Sequence, residues 1–413
     1  MPQKAHSADV VVVGAGLVGL TMALALGGRQ ARPPLDVVLM DNADPSQDRS
    51  TFDSRASAVT LSSRRLLEVL GVWDRLDAHA QPIRRIVVTD SRLGEAERPA
   101  LLRFGETESG QGPSAFMIEN RHLHAALREA VRETSGIRVI DGATVGAYAF
   151  GEAAAEIGWE DETLRASLLV AAEGRKSPAR ETAGIGTVDW AYGQSAIVTT
   201  VAHARPHEGT AEEHFLPAGP FAILPLKGNR SSLVWTEPTD EAERIMRLDE
   251  EGFRQELERR FGDHLGAVEP EGPRHSHPLT LQIAQRFVGP RLALIGDAAH
   301  VVHPIAGLGF NLGLRDVAAL AECVADAARL GLDIGAAAVL ERYEAWRRPD
   351  TVMVAAATDG LNRLFSNDNR IVRLMRDAGL GLVNGIGPLK EAFASEAAGL
   401  TGTLPRLLQG EAA

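Results

Sequence analysis

Three glycines with a demanding spacing come first. Residues Asp9 to Leu26 read DVVVVGAGLVGLTMALAL, and Gly14, Gly16 and Gly19 stand in G-x-G-x-x-G order directly after Val10 to Val13. Pyrophosphate binding uses this spacing. Gly14 permits the tight turn out of a strand, Gly16 lets backbone approach the phosphates, and Gly19 lets a helix lie closely on the sheet. Leu17 and Val18 fall in the first turn of that helix, whose free N–H groups and positive dipole end favour phosphate. A second apolar run, Asp36 to Met40, ends in Asp41, placed to accept hydrogen bonds from a ribose. These residues describe one end of a dinucleotide site without distinguishing FAD from NAD.

A second constellation lies at Arg291 to Glu322. The run Leu292 to Ile295 ends in Gly296-Asp297, where a carboxylate can bind sugar hydroxyls. The loop Pro304-Ile305-Ala306-Gly307-Leu308-Gly309 is small enough to lie against a flat ring. Phe310 follows, and Asn311 is expected to open a long helix with Leu312, Val317, Leu320 and Val324 on its apolar side. A helix N-terminus aimed at such a ring favours negative charge, which a reduced flavin carries near N1. Together the two constellations favour FAD, with its adenosine end at Asp41 and its ring end at Pro304 to Asn311.

The elements that must position these residues are those of an α/β chain. The buried β-branched run at Val10 to Val13 suits a strand covered on both faces. A length of 413 residues suggests two or three packed units. A discontinuous FAD-binding domain is expected over 1–75, 120–190 and 275–345. A substrate-binding domain is expected over 76–119 and 191–274, and a helical C-terminal region over 346–413. Arg85 to Thr89, Ser195 to Val201, His214 to Leu216, Ala222 to Pro225 and Ser232 to Thr236 should form a mostly antiparallel sheet covering the ring. Glu241 to Phe261 reads as one charged, exposed helix. The tail carries Ile371, Val372, Leu374, Met375, Leu380, Leu382 and Val383 among Arg370, Arg373 and Arg376. It reads as a helix packed on the core or a partner, or as a surface bordering lipid.

Bulk composition narrows the partners. The formal charge of −12 argues against nucleic acid, which needs a basic stripe. Cys323 is the single cysteine, which excludes a disulfide framework or a Cys-based metal site within one chain. No metal is expected. With no charged-then-apolar leader and no run of about 18 apolar residues, a cytoplasmic location is expected.

Several segments together resemble the class A flavoprotein monooxygenases, whose α/β fold is that of para-hydroxybenzoate hydroxylase. Gly296-Asp297 and the P-x-x-G-x-G-x-N loop formed by Pro304, Gly307, Gly309 and Asn311 carry the resemblance. So does Glu173-Gly174 with Ser177 and Arg180, although Glu replaces the family's Asp. Phe52-Asp53-Ser54-Arg55-Ala56, Ser63 to Glu68, Leu70 to Trp73, His303 to Gly307 and Asn311 to Asp316 are similar to the ubiquinone-biosynthesis hydroxylases of the UbiH/UbiF/VisC type. Two segments, His303 to Asp316 and Gly219 to Trp235, look most like the 2-polyprenyl-6-methoxyphenol hydroxylases among them. Leu308 departs from the family's usual Gln.

The resemblance implies a Rossmann-type βαβ FAD-binding fold with an inserted, mostly antiparallel substrate sheet. It implies that Arg55 reaches toward the flavin or the nicotinamide path, and that Arg121 contacts FAD. Gly14, Gly16, Leu17, Val18, Gly19, Asp41, Gly296, Asp297, Pro304, Gly307, Leu308, Gly309, Phe310 and Asn311 complete the expected cofactor set. The implied chemistry is reduction of FAD by NADPH or NADH, addition of O₂ at C4a, and transfer of hydroxyl from the hydroperoxide to a lipophilic polyprenyl phenol. A base near the phenol oxygen would assist, and His214 and His303 are the candidates. A biosynthetic complex and peripheral contact with the inner face of a membrane are further expectations. Two alternatives stay open at this point. One is another FAD oxidoreductase, such as a prenyl reductase or quinone-linked dehydrogenase; the other is a non-catalytic FAD-bound subunit.

Overall fold

A computed structural model of the chain describes residues 4–43, 55–90, 93, 100–105, 112–365, 395 and 398–413. The expected segment Phe52 to Ser54 and the apolar tail Ile371 to Val383, with its arginines, lie outside the described residues.

The Lys4–Val13 strand has parallel neighbours on both sides, Glu162–Ala171 and Val37–Met40. Val10 to Val12 are wholly buried, as a β-branched strand covered on both faces must be. The parallel order continues to Leu292–Leu294 on one side and Ile137–Ile140 on the other. The Leu17–Gly27 and Leu308–Arg329 helices pack against each other at this sheet. A Cβ added to Gly313 would lie 2.6 Å from Val18 Cγ2, so glycine sets the closeness of the two helices.

The second sheet has eight strands. Its order is His300–Val301, Val268–Ala284, Thr187–His203, Arg230–Pro238, Gly219–Leu226, Thr210–Leu216, Arg85–Asp90 and Ala100–Gly105. All its pairings are antiparallel except that of Thr210–Leu216 with Arg85–Asp90. The five strand segments expected in a covering sheet all belong to it.

Two helices, Thr239–Met246 and Glu250–Phe261, cover one face of this sheet. This corrects the expectation of one exposed helix over Glu241 to Phe261. Asp249 accepts a hydrogen bond from Gly252 N at 2.8 Å and starts the second helix afresh. Ala242, Ile245, Phe253, Leu257 and Phe261 are buried against Phe221, Trp235, Ile197 and Leu233. Most of the charges lie on the outer sides; Arg260 is buried on the inner one.

A three-stranded antiparallel sheet, Ala56–Thr60, Ala115–Glu119 and Gln81–Ile83, sits under the opposite face. The Ala337–Phe365 helix packs on Leu308–Arg329 and runs through residue 346 without interruption. Among the described residues no helix is long and apolar enough to cross a membrane.

Candidate active site

The glycine turn behaves as its spacing requires. Gly14 has φ +104°, and a Cβ there would stand 2.3 Å from the Ala172 carbonyl oxygen. A Cβ on Gly19 would stand 1.9 Å from the Gly14 carbonyl oxygen. Gly16 is different: it is exposed and nothing lies within 4 Å of its would-be Cβ. It precedes a helix with no side-chain cap and no acid in its first turn, so the N–H groups there are free to meet an anion. Asp41 is buried at the end of Val37–Met40, and its Oδ1 accepts from Ala15 N at 3.3 Å. Val18 makes no polar statement of its own; its side chain fills the space left by Gly296 and Gly313. His124 lies beside the turn, with Nε2 3.3 Å from the Ala15 carbonyl oxygen, and was not singled out by sequence.

Gly296 bends the chain at φ +57°. The bend is held from behind by Asp316, a fully buried residue of the Leu308–Arg329 helix. Its carboxylate accepts from Gly296 N at 3.0 Å, His300 Nε2 at 2.6 Å and Arg347 Nε at 2.8 Å. Burial alone would raise this carboxyl, yet His300 and Arg347 hold it below the usual carboxylate range. Arg347 also donates to Asp350 at 2.5 Å, which Arg315 reaches at 3.1 Å.

Asp297 follows the bend with a side chain that water reaches although protein surrounds it on most sides, as beside an open cleft. Burial pushes its carboxyl up, against the pull of His300, Arg55 and Arg175. Arg55 is thus close enough to act on the Asp297 carboxylate. Arg175 is an addition that the sequence reading left without a role. Glu173 is a cap. It accepts from Ala179 N at 3.1 Å and Ser177 Oγ at 2.5 Å, and Tyr148 Oη also donates to it. Arg180, buried beneath it, donates to the Ala298 carbonyl oxygen at 3.0 Å and ties this loop to the Gly296 bend.

The ring loop differs from expectation in one detail. The long helix opens at Leu308, not Asn311, because Gly307 adopts φ +63° and ends the turn Ile305–Gly307. No side chain caps this helix and its first turn holds no acid. Gly309 is exposed, with nothing within 4 Å of its would-be Cβ, while Pro304 and Phe310 are half-buried. The Asn311 side chain is fully engaged within the protein. It donates to the Ala58 carbonyl oxygen at 2.7 Å and accepts from Thr60 N at 3.0 Å and Ser63 Oγ at 2.8 Å. It pins the loop to the Ala56–Thr60 strand and leaves only backbone for a ligand. Arg121, exposed on the Asn120–Arg132 helix, pairs with Glu119 at 2.9 Å, and Glu119 also meets Arg230 at 3.3 Å.

Neither histidine stands as a free base. His303 is fully buried, accepts from Ile305 N through Nδ1 at 3.4 Å, and meets the Tyr192 ring edge-on at 5.0 Å. The proton therefore sits on Nε2 and the lone pair on Nδ1 is engaged. Burial drives its pKa down to about 4 despite Asp359, so it braces the loop as a neutral ring. His214 is buried on the helix-covered face of the eight-stranded sheet. Thr89 Oγ1 lies 2.7 Å from its Nδ1 and Glu212 Oε2 lies 3.0 Å from its Nε2. Leu216 and Phe221, on the same face, belong to the core under the two helices.

The other face of this sheet is open. Ala211 packs with Ile83, Ala115 and Met117, against which Ala56 and Ala58 also lie. Phe215 packs with Ile305 and Phe365. Between them the half-exposed side chains of Ile86, Val88, Leu224 and Val234 form an apolar wall around Glu213, with Asp90 beside Phe215 on the same face. The Gly307 bend and Ala58 touch below it, since a Cβ on Gly307 would lie 3.4 Å from Ala58 Cβ. Among the described residues no His/Cys/Asp/Glu group could hold a metal.

Comparison with known proteins fits this arrangement. A family model described as a FAD binding domain matches residues 7–358. Ubiquinone hydroxylase UbiL of Rhodospirillum rubrum is 49% identical, over 98% of this chain and 93% of that protein. The 3-demethoxyubiquinol 3-hydroxylase of Escherichia coli is 32% identical, over 95% of this chain and 98% of that one. The crystal structure of p-nitrophenol 4-monooxygenase PnpA from Pseudomonas putida shares the fold, with a TM-score of 0.78 at 19% identity over 97% and 99% of the two chains. The chain belongs to the FAD-binding-domain family and, within it, to the class A FAD monooxygenases of ubiquinone biosynthesis.

Proposed function

We propose that this protein hydroxylates the aromatic ring of a polyprenyl phenol on the route to ubiquinone, using FAD, NAD(P)H and O₂. The observation that carries the substrate class is the half-exposed apolar wall of Ile86, Val88, Leu224 and Val234 above the Ile305–Gly307 turn. A lipophilic ring lying between that wall and the loop displaces water from both, which an oxygen-transfer reaction requires.

The residues present fit FAD. The open side of Gly16 and the uncapped helix behind it would take the pyrophosphate, with Asp41 on the adenosine ribose. Asp297 would bind the ribityl chain. The backbone of Pro304 to Asn311, ending in a second uncapped helix, would lie along the ring. Leu17 would extend the first contact, Arg55 would meet the cofactor beside Asp297, and Arg121 would reach it from the helix start that is bonded to the Arg55 carbonyl oxygen. When bound, FAD reduced by NAD(P)H supplies the activation of oxygen. The chain's own work is to hold the ring flat, keep water out and manage protons at the phenol.

The decisive experiment follows NADPH and oxygen consumption with a short-chain prenyl phenol while mass spectrometry seeks one added oxygen atom. Stoichiometric consumption with a hydroxylated product is expected; NADPH oxidation that reduces a double bond or a quinone instead would sink the reading. Asp297→Ala should lower FAD occupancy of the purified protein, and unchanged occupancy counts against its ribityl role. We also infer peripheral membrane contact, by which so lipophilic a substrate is reached. Exposed Val352, Met353, Leu361 and Leu364 on one helix support it, and co-flotation with liposomes tests it.

A further inference from the structure

We propose that Glu213 is the base that accepts the proton of the substrate's ring hydroxyl. The assignment rests on the ring-hydroxylase reading above and adds to it a residue that neither the glycine motifs nor the ring loop contains.

Geometry isolates this side chain. In Thr210–Leu216 successive residues point to opposite faces, so Glu213 shares its face with Ala211 and Phe215. Those two pack on the Ala56–Thr60 side and on Ile305, which puts Glu213 between them over the loop. Strand register places Val88 on one side and Ala222 on the other, both apolar. Among the described residues no hydrogen bond or ion pair holds its carboxyl, whereas Glu212 is bound by His214 and His264 on the closed face. Water still reaches Glu213. It is an unpartnered acid in an apolar wall, at the place where a phenol would lie.

The chemistry suits a phenol. A phenolic hydroxyl titrates near ~10, too far from an ordinary carboxylate for efficient transfer. Burial pushes Glu213 up to about 7. The charged groups on elements packed around it are Asp90 on its own face, Arg55 and Asp297 below, and Asp359 and Arg363 on the Ala337–Phe365 helix; none contributes to this shift. In the step proposed, the phenol O–H bond breaks and a Glu213 Oε–H bond forms. The electron pair stays on the phenolate oxygen and is shared with the ring carbon that bonds the incoming oxygen. That carbon then loses its own hydrogen as a proton, restoring the aromatic ring. One oxygen atom comes from O₂, the other leaves as water, and NAD(P)H supplies two electrons.

Single-turnover hydroxylation of the FAD-loaded enzyme tests this, with rates normalised to flavin content and with a series of fluorinated prenyl phenols of falling pKa. The wild-type rate should rise with pH through about 7. Glu213→Gln should lose that rise and form product about 10²- to 10⁴-fold more slowly. The more acidic phenols should rescue Glu213→Gln more than the wild type, which a purely structural role would not produce. A variant with wild-type rate and pH profile overturns the assignment and leaves the hydroxylase reading standing. A wild type that hydroxylates no phenol overturns both. If Glu213→Gln fails to retain FAD, Glu213→Asp carries the comparison, and a wild-type dependence of its rate on phenol acidity overturns the assignment.

Discussion

The two faces of the eight-stranded sheet are built to different standards. On the helix-covered face the large apolar groups are enclosed, and Trp235, Glu237 and Arg260 satisfy one another. Trp235 donates to Glu237 at 2.7 Å, Arg260 meets Glu237 at 2.9 Å, and its guanidinium stacks 4.5 Å from the Trp235 ring centre. On the cleft face Ile86, Val88, Leu224 and Val234 are half-exposed, and no hydrogen bond or ion pair among the described residues holds Glu213. A single sheet therefore separates a face that stabilises the fold from a face that receives a ligand. Adjacent residues of one strand, Glu213 and His214, fall on opposite sides of that division.

Substitutions can test how complete the separation is. Glu237→Ala leaves the buried Arg260 with Glu256 alone and the Trp235 N–H without its acceptor, and should cost about 2–3 kcal/mol, read as a fall in the urea midpoint. His214→Gln should cost about 1–2 kcal/mol through the weakened bonds to Thr89 and Glu212, and should leave the pH profile of hydroxylation unchanged. A lost limb in that profile would move His214 into the chemistry and break the comparison. Val88→Ala, on the open face, should cost less than about 1 kcal/mol, because that side chain is only half-buried. Its larger effect should be on KM for the phenol and on the fraction of NADPH oxidised without product. Equal stability losses for Val88→Ala and Glu237→Ala would mean that the face is not open.

What the sequence disclosed follows the same division. The Gly14 turn, the Gly296 bend and the Gly307 loop impose demands on local backbone, so only certain residue types satisfy them and spacing reveals them. The members of the covering sheet were legible for a similar reason, from short apolar runs between turns. Strand parity was not. Around His214-Phe215-Leu216 apolar residues fall on both faces, and which face is enclosed depends on helices far along the chain. Histidine attracted the role of base because its ordinary pKa lies near neutrality, whereas Glu213 gains that property only from the apolar side chains around it. Asn311 shows a related limit. Its place in the loop was readable, but its three partners at Ala58, Thr60 and Ser63 come from a distant strand and helix.

The clamp on Gly296 has a consequence for synthesis. Asp316 and Arg347 lie downstream of the bend they hold, on two successive helices. A ribosome releases the glycine turn first, the bend much later, and the residues that fix the bend last. A growing chain that stops short of Arg347 holds the phosphate end of the site without a rigid partner for it. Firm capture of the cofactor is therefore expected only once Arg347 has emerged, well after the strands of the central sheet.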